Sequence, residues 1–350
     1  MTNLRMILLL LMVLPVFGEK VADLPEINEP HSLIVHGKTL VIGDKDCLHF
    51  YTLDPFGYLR KSGRSGDGPG EFNASPGLAS HPEYLLANAM GRLLKFNWDG
   101  EFLQQIKIPF TYFHHYYPLL PVGKNYVGLP LKRIPEKNTF ITVVNLYDAE
   151  LKLIKELHEG FTPKLLPPPP PGSKVVRVDF QVISDHLDVA HVDDKILIAD
   201  TRTGLGIDVF NASGEPLYSI QKNEKKVRVP KQYKDEFWKE IKGREDWATL
   251  NASFNYIIRD YFPAFYSFKV QDNRIYLTTH AQKAGRHEII VLDLEGNEIH
   301  RSFSFPLAPD QKILAGVGTF GHEYFIYNDS IHYLRFNETT MMFELHAQEF

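Results

Sequence analysis

The feature that most narrows what this chain can fold into is a pattern that returns six times. An apolar stretch rises to a polar residue, a second apolar stretch follows, and that one closes on a large apolar residue plus Asp or Asn. The first stretches lie at 40–44, 84–88, 126–130, 196–200, 275–279 and 324–328. The closing pairs are Leu53 and Asp54, Phe96 and Asn97, Tyr147 and Asp148, Phe210 and Asn211, Leu292 and Asp293, and Phe336 and Asn337. Self-similarity at this period marks an architecture built by repetition.

In four units a glycine stands three residues after the Asp or Asn, at Gly57, Gly100, Gly214 and Gly296. That is the chemistry of a hairpin turn. A strand such as 102–106 or 217–220 follows, and a short one such as 33–35 precedes each unit. Each unit is therefore a sheet of four short strands. Such a sheet cannot bury both of its faces alone, but a ring of sheets buries each face against a neighbour and hides most edges. The expectation is an all-β, six-bladed β-propeller of four-stranded antiparallel blades. Aromatic residues at 13%, with 23 prolines and 24 glycines spread along the chain, suit many short strands joined by turns.

The units differ in length, and the position of the extra residues carries information. In a propeller, the second-to-third-strand loops and the blade-to-blade connections share one face, while each blade's two hairpin turns share the other. The insertions at 61–77, 108–118, 131–139, 158–185, 221–262 and 280–287 all map to the first of these faces. Long connections gathered on one side of a repeat scaffold mark a binding side. The segment from about 221 to 262 also holds the one strong helix signal, with Tyr233, Phe237, Trp238 and Ile241 on one stripe and Gly243 to end it.

After the first unit stands Gly63-Arg64-Ser65-Gly66-Asp67-Gly68-Pro69-Gly70-Glu71-Phe72. With the repeated turn chemistry, this segment resembles the bacterial six-bladed propeller proteins related to NHL-repeat proteins, in which a Gly-x-Gly-Pro-Gly-Glu-Phe segment recurs after a blade. The resemblance covers nearly all of the chain beyond Gly18 and implies the fold, export and a binding surface. Here the motif occurs once. It lacks the Gly-Lys-Ser/Thr ending of a phosphate loop, and no helical periodicity follows it, so the expectation is a rigid inter-blade turn.

Residues 1–18 read as an export signal: Arg5, an apolar run from Ile7 to Phe17 too short to span a bilayer, and small or apolar Val16 and Gly18 at a cleavage position. Residues 19–350 are then the propeller, secreted or periplasmic. Cys47 stands alone and can make no internal disulfide. The net charge of -5 lacks the basic excess that a nucleic acid partner demands. The five Asn-x-Ser/Thr sites, at Asn73, Asn211, Asn251, Asn328 and Asn337, would accept glycans in a eukaryotic secretory pathway. The proline run at 167–171 reads as a stiff polyproline II spacer.

For ligand contact the sequence offers the aromatic stretch at 108–118, and within it Tyr112, His114, His115 and Tyr116, whose apolar rings with polar tips suit glycans or peptides. Inner strands are expected to begin near His31, Ser75, His115, Asp185 with His186, Pro263 and Lys312, which adds Asp185 and His186 to the channel mouth. Trp238, on the helix, completes the candidate set. No full catalytic constellation and no three-ligand metal set emerges from this reading, so no cofactor is expected, although calcium or zinc is compatible with His and Asp at the mouth. The leading expectation is a binding module for a protein, peptide or glycan. The competing one is a metal-assisted hydrolase or lyase at the channel mouth, with His115, Asp185 or His186 as acid, base or ligand.

Overall fold

A computed structural model describes residues 18–109, 118–137, 139–160, 178–306 and 324–350. Residues 1–17, Tyr112, His114, His115, Tyr116, the proline run at 167–171 and Lys312 lie outside them. Six four-stranded antiparallel blades form a ring. Blade one comprises Pro30–His36, Thr39–Asp44, Cys47–Leu53 and Phe56–Ser62. Blades two to five follow the same order within 77–107, 120–159, 187–222 and 267–306. In blade three an extra strand, Leu131–Ile134, folds back on Thr139–Tyr147.

Six apolar wedges, one at each blade-to-blade contact, hold the ring together. Between blades one and two, Val41, Leu48 and Phe50 meet Leu78, Leu85 and Ala87. Leu40, Ile42 and Tyr51, from the other face of blade one, pack instead on Phe325 and Leu345 of blade six. Neighbouring residues of one strand thus bury into different wedges. This is why the second strands are apolar without alternation: a strand covered on both faces has no side to give to water. Leu197, Ile207 and Val209 against Ile275, Leu277 and Leu292 repeat the arrangement between blades four and five.

Blade six corrects the sequence reading by one strand. The repeat aligns 324–328 with the second strands of the other units, yet Tyr324–Tyr327 is the innermost strand of its blade. Lys269 Nζ of blade five donates to its Tyr324 carbonyl at 2.5 Å, and the Gln271 amide brackets the Ile326 backbone. The turn explains the shift. Asn328 and Asp329 both have positive φ, as do Asp272 and Asn273, which join the first two strands of blade five. Phe336 and Asn337 therefore end a second strand, Ser330–Asn337, and Met342–Glu349 is the third.

The fourth strand of blade six comes from the other end of the chain. Glu19–Leu24 pairs antiparallel with Met342–Glu349, with Glu19 opposite Ala347 and Leu24 opposite Phe343. Glu344 ties the seam, accepting from Asn337 Nδ2 at 2.8 Å, His346 Nε2 at 2.9 Å and Lys20 Nζ at 3.1 Å.

The glycine-rich segment is a folded clasp between blades one and two. Phe72 is fully buried and stacks on Phe96 at 5.8 Å. Gly63, at φ +77°, leaves no space for a Cβ, which would lie 2.3 Å from the Phe72 ring. The carbonyls of Gly66, Asp67 and Glu71 all accept from the Arg92 guanidinium, at 2.9 to 3.2 Å. Carbonyl oxygens converge on a cation there, whereas an anion cradle would turn its amides inward.

Candidate functional site

The described connections between blades, together with the long second-to-third-strand hairpins, leave the ring on one face. Over blades four and five they build a cap. The helix α1, Lys231–Lys242, forms on the expected stripe, with Phe237 and Ile241 buried and Gly243 donating back to the Lys239 and Glu240 carbonyls. A second helix follows, α2, Trp247–Ser253. Two strands that the sequence reading left unassigned, Val178–Gln181 and Phe254–Ile257, pair in parallel and join two separate inter-blade connections. Val182, Ile183, Val229, Phe237 and Ile241 form a core of its own for this cap. Trp238 belongs to the same layer: it packs on Phe237 and Tyr256, and Lys242 Nζ lies 5.4 Å above its ring.

Beneath the cap, polar side chains gather where the first strands of blades four and five leave the insertion face. Asp185 and His186 immediately precede Leu187–Val192, the first strand of blade four. Asp185 pairs with Arg259 of the cap side at 2.7 Å. Thr201 Oγ1 accepts from the His186 amide at 2.9 Å and lies 3.3 Å from Asp185 Oδ1. The His186 ring meets Phe265 edge-on at 5.1 Å, and its buried Nε2 has no hydrogen-bond partner among the described residues. Asp188 Oδ2 stands 3.6 Å from that nitrogen, beyond hydrogen-bond range. Burial pushes the Asp188 carboxyl up, with His186 and Lys269 opposing.

Blade five supplies residues that the sequence reading did not single out. His280 stacks on Phe262 at 4.3 Å and presents its ring to Tyr266 edge-on at 6.0 Å. His287 stacks on the other aromatic partner, Tyr266, at 5.6 Å, and its Nδ1 lies 2.9 Å from the Thr279 carbonyl. Such a contact is satisfied when Nδ1 carries the proton, which leaves Nε2 as an acceptor. Burial lowers His280 to about 3, with His287 and His186 adding to the effect, and lowers His287 to about 4. Both are neutral imidazoles at ordinary pH. Their spacing conceals them, since His280 lies in Arg274–Lys283 and His287 in Arg286–Asp293, and the register shift between Thr278 and Gln282 sets how the two strands meet there.

Two charged nodes flank the mouth. Asp200 takes Arg202 through both of its oxygens and His158 Nε2 at 2.9 Å, while the same Arg202 donates to the Glu159 and Gly160 carbonyls. Despite burial, those bonds hold the Asp200 carboxyl far below the usual carboxylate range. On the outer side Arg301 bridges Glu224, Glu288 and Glu298 at 2.7 to 3.1 Å, and Glu288 also accepts from Thr279 Oγ1. His191, five residues beyond His186, turns to the far end of the channel beside Ser80 and His81, and burial lowers it to about 4. The opposite face carries a groove of about 460 Å³ lined by Arg274, His300, Asn328, Asp329, Glu349 and Phe350 among others.

No family model and no curated protein matches this chain. Solved propellers are similar at low identity. The β-propeller domain of Cps50 (Swd1) from Myceliophteria thermophila is 10% identical, with 94% of this chain and 98% of that one covered and a TM-score of 0.40. Kluyveromyces lactis Hsv2 is 7% identical over 91% and 98%, with a TM-score of 0.41. A chain of a nidogen/laminin complex is 10% identical over 79% and 80%, at 0.39.

Proposed function

We propose that this protein is an exported binding module that recognises a protein, peptide or glycan on the insertion face, at the channel mouth beneath the cap. One observation carries the reading: two separate inter-blade connections join into a cap with its own core beside a cluster of buried and half-buried polar groups from blades four and five. A cap only needed to cover apolar surface would not leave His186 Nε2 without a partner beneath it. Neutral imidazoles, tyrosine and carboxylate edges lying between stacked rings are the mixture that recognises amide and hydroxyl groups. Export rests on the amino-terminal signal, and among the described residues no helix is long and apolar enough to cross a membrane.

The test is binding of defined glycans and peptides to the purified chain, with variants on each face. Alanine at His114, His115 or Tyr116, or at His186, is expected to weaken capture at least tenfold. Arg274→Ala on the opposite face is expected to leave it unchanged. Capture insensitive to every mouth variant would put the site elsewhere. The second reading, metal-assisted hydrolysis, draws on His186 Nε2 standing 3.6 Å from Asp188. It requires metal uptake that His186→Ala abolishes.

A further inference from the structure

Away from the mouth, blade one gathers a second set of chemistry-bearing side chains. Asp44 ends its second strand and Cys47 begins its third, and the two are paired across the turn. His49 lies two residues further along. The carboxylate, thiol and imidazole all point to one place: their ligand atoms lie within 4.8 Å of one another, the one such group among the described residues. Asp44 and Cys47 are each 2% exposed and His49 is 4% exposed, so whatever satisfies these groups is internal.

Hydrogen bonding alone accounts poorly for this arrangement. Both the thiol and the carboxylate approach the same imidazole nitrogen: Cys47 Sγ lies 3.3 Å from His49 Nε2, and Asp44 Oδ2 lies 3.6 Å from it. One nitrogen carries at most one proton and can serve one acceptor well. The ring's other nitrogen, Nδ1, is buried with no partner among the described residues. A Cys-His-Asp relay would use both nitrogens, one for each neighbour, so the geometry also excludes that reading. Three donor atoms crowded around a common point are what a bound cation produces.

We propose that Asp44, Cys47 and His49 form a zinc site. For bonds of about 2.3 Å to sulfur and about 2.0 Å to nitrogen and oxygen, tetrahedral angles separate sulfur from nitrogen by roughly 3.5 Å and nitrogen from oxygen by roughly 3.3 Å, and the observed 3.3 and 3.6 Å each lie within about 0.3 Å of those separations. One thiolate and one carboxylate cancel the charge of the divalent ion, so the buried site closes neutral. The mixture of sulfur, nitrogen and oxygen selects zinc over the oxygen-seeking calcium and magnesium. The carboxylate also has an outer shell. Asp44 accepts the Asn28 amide at 3.1 Å and the Glu29 amide at 2.5 Å, which orients its carboxylate. Those amides belong to the link between Glu19–Leu24 of blade six and Pro30–His36 of blade one. The ion therefore fastens the chain where the ring closes.

The experiment uses the full chain without an affinity tag, stripped with a chelator and dialysed. Zinc is titrated in competition with a chromophoric chelator, and cobalt is added separately as a spectroscopic probe. One equivalent of zinc should bind, and cobalt should give tetrahedral visible bands with a thiolate-to-metal charge-transfer absorption. Since Cys47 is the only cysteine, that absorption assigns the site in the unmodified protein even if its variants fail to fold. Cys47→Ser and His49→Gln should weaken zinc by more than the roughly 10–100-fold that an outer-shell change costs. His186→Ala should leave it unchanged, which separates this site from any metal at the mouth. Zinc should also raise the melting temperature. No stoichiometric uptake, cobalt bound without the sulfur absorption, or uptake undiminished in both variants would overturn the proposal.

Discussion

At the scale of single residues, buried imidazoles and one tightly hydrogen-bonded carboxylate shape this protein's response to acid. His280 and His287 fall to about 3 and about 4 in the fold, against an unfolded value near 6.5. A histidine held neutral stabilises above its unfolded value, and that contribution is lost as pH falls from about 6.5 towards about 4. Glu344 acts lower. The bonds from Asn337, His346 and Lys20 hold it near 2, so its contribution is present above about 4.5 and is lost as pH falls towards 2. Acid unfolding followed by circular dichroism should therefore show two losses. His287→Phe should diminish the upper one and Glu344→Gln the lower. The glycine-rich clasp gives a second test at this scale. Gly63→Ala puts a Cβ into Phe72 at a positive φ, and should cost about 1–3 kcal/mol in denaturant unfolding. An unchanged midpoint would mean that the clasp carries no strain.

Among the elements, the cap is the part that most exceeds what the sequence made visible. The stripe Tyr233, Phe237, Trp238 and Ile241 announced α1 because one face of a helix repeats at 3.6 residues. The parallel pair of Val178–Gln181 and Phe254–Ile257 had no such signal: each strand has four residues, and its partner lies more than 70 positions away. Short strands are specified by what covers them, and the cover here is tertiary. The same limit applies to the mouth. Asp185 and His186 were legible as residues just before an inner strand, but His280 and His287 sit in different strands and meet Tyr266 only once the hairpin has formed. The spacing of Asp44, Cys47 and His49 carries no familiar metal motif, and it is the turn pairing Asp44 with Cys47 that brings the three together. Since the cap has its own core, it should open apart from the blades. Phe237→Ala is expected to remove about 3–5 kcal/mol locally. Hydrogen exchange should then speed up at 178–183 and 228–258 while Ile196–Ile198 and Ile275–Leu277 stay protected. Equal acceleration everywhere would show that cap and ring form one cooperative unit.

For the whole molecule, six wedges and a seam make the architecture. The blade count was readable because the apolar stretch and its closing large apolar residue plus Asp or Asn return six times along the chain, even though blade six is offset by one strand. The seam was not: Glu19–Leu24 has only one wedge-facing residue that is fully buried, Leu24, and its partner lies at the far end of the chain. Removing residues 19–24 should expose the edge of Met342–Glu349, lower the melting temperature and produce concentration-dependent association through that edge. A variant that remains monomeric and equally stable would refute closure by this strand. The claim on which the functional account rests is that recognition uses the face with the long connections. Its most direct measurement is hydrogen exchange on the chain with and without a captured glycan or peptide. Protection is predicted in 62–77, 178–186, 222–266 and 279–286, with the turns at 36–39, 192–195 and 271–274 unchanged. Protection confined to those turns would contradict it.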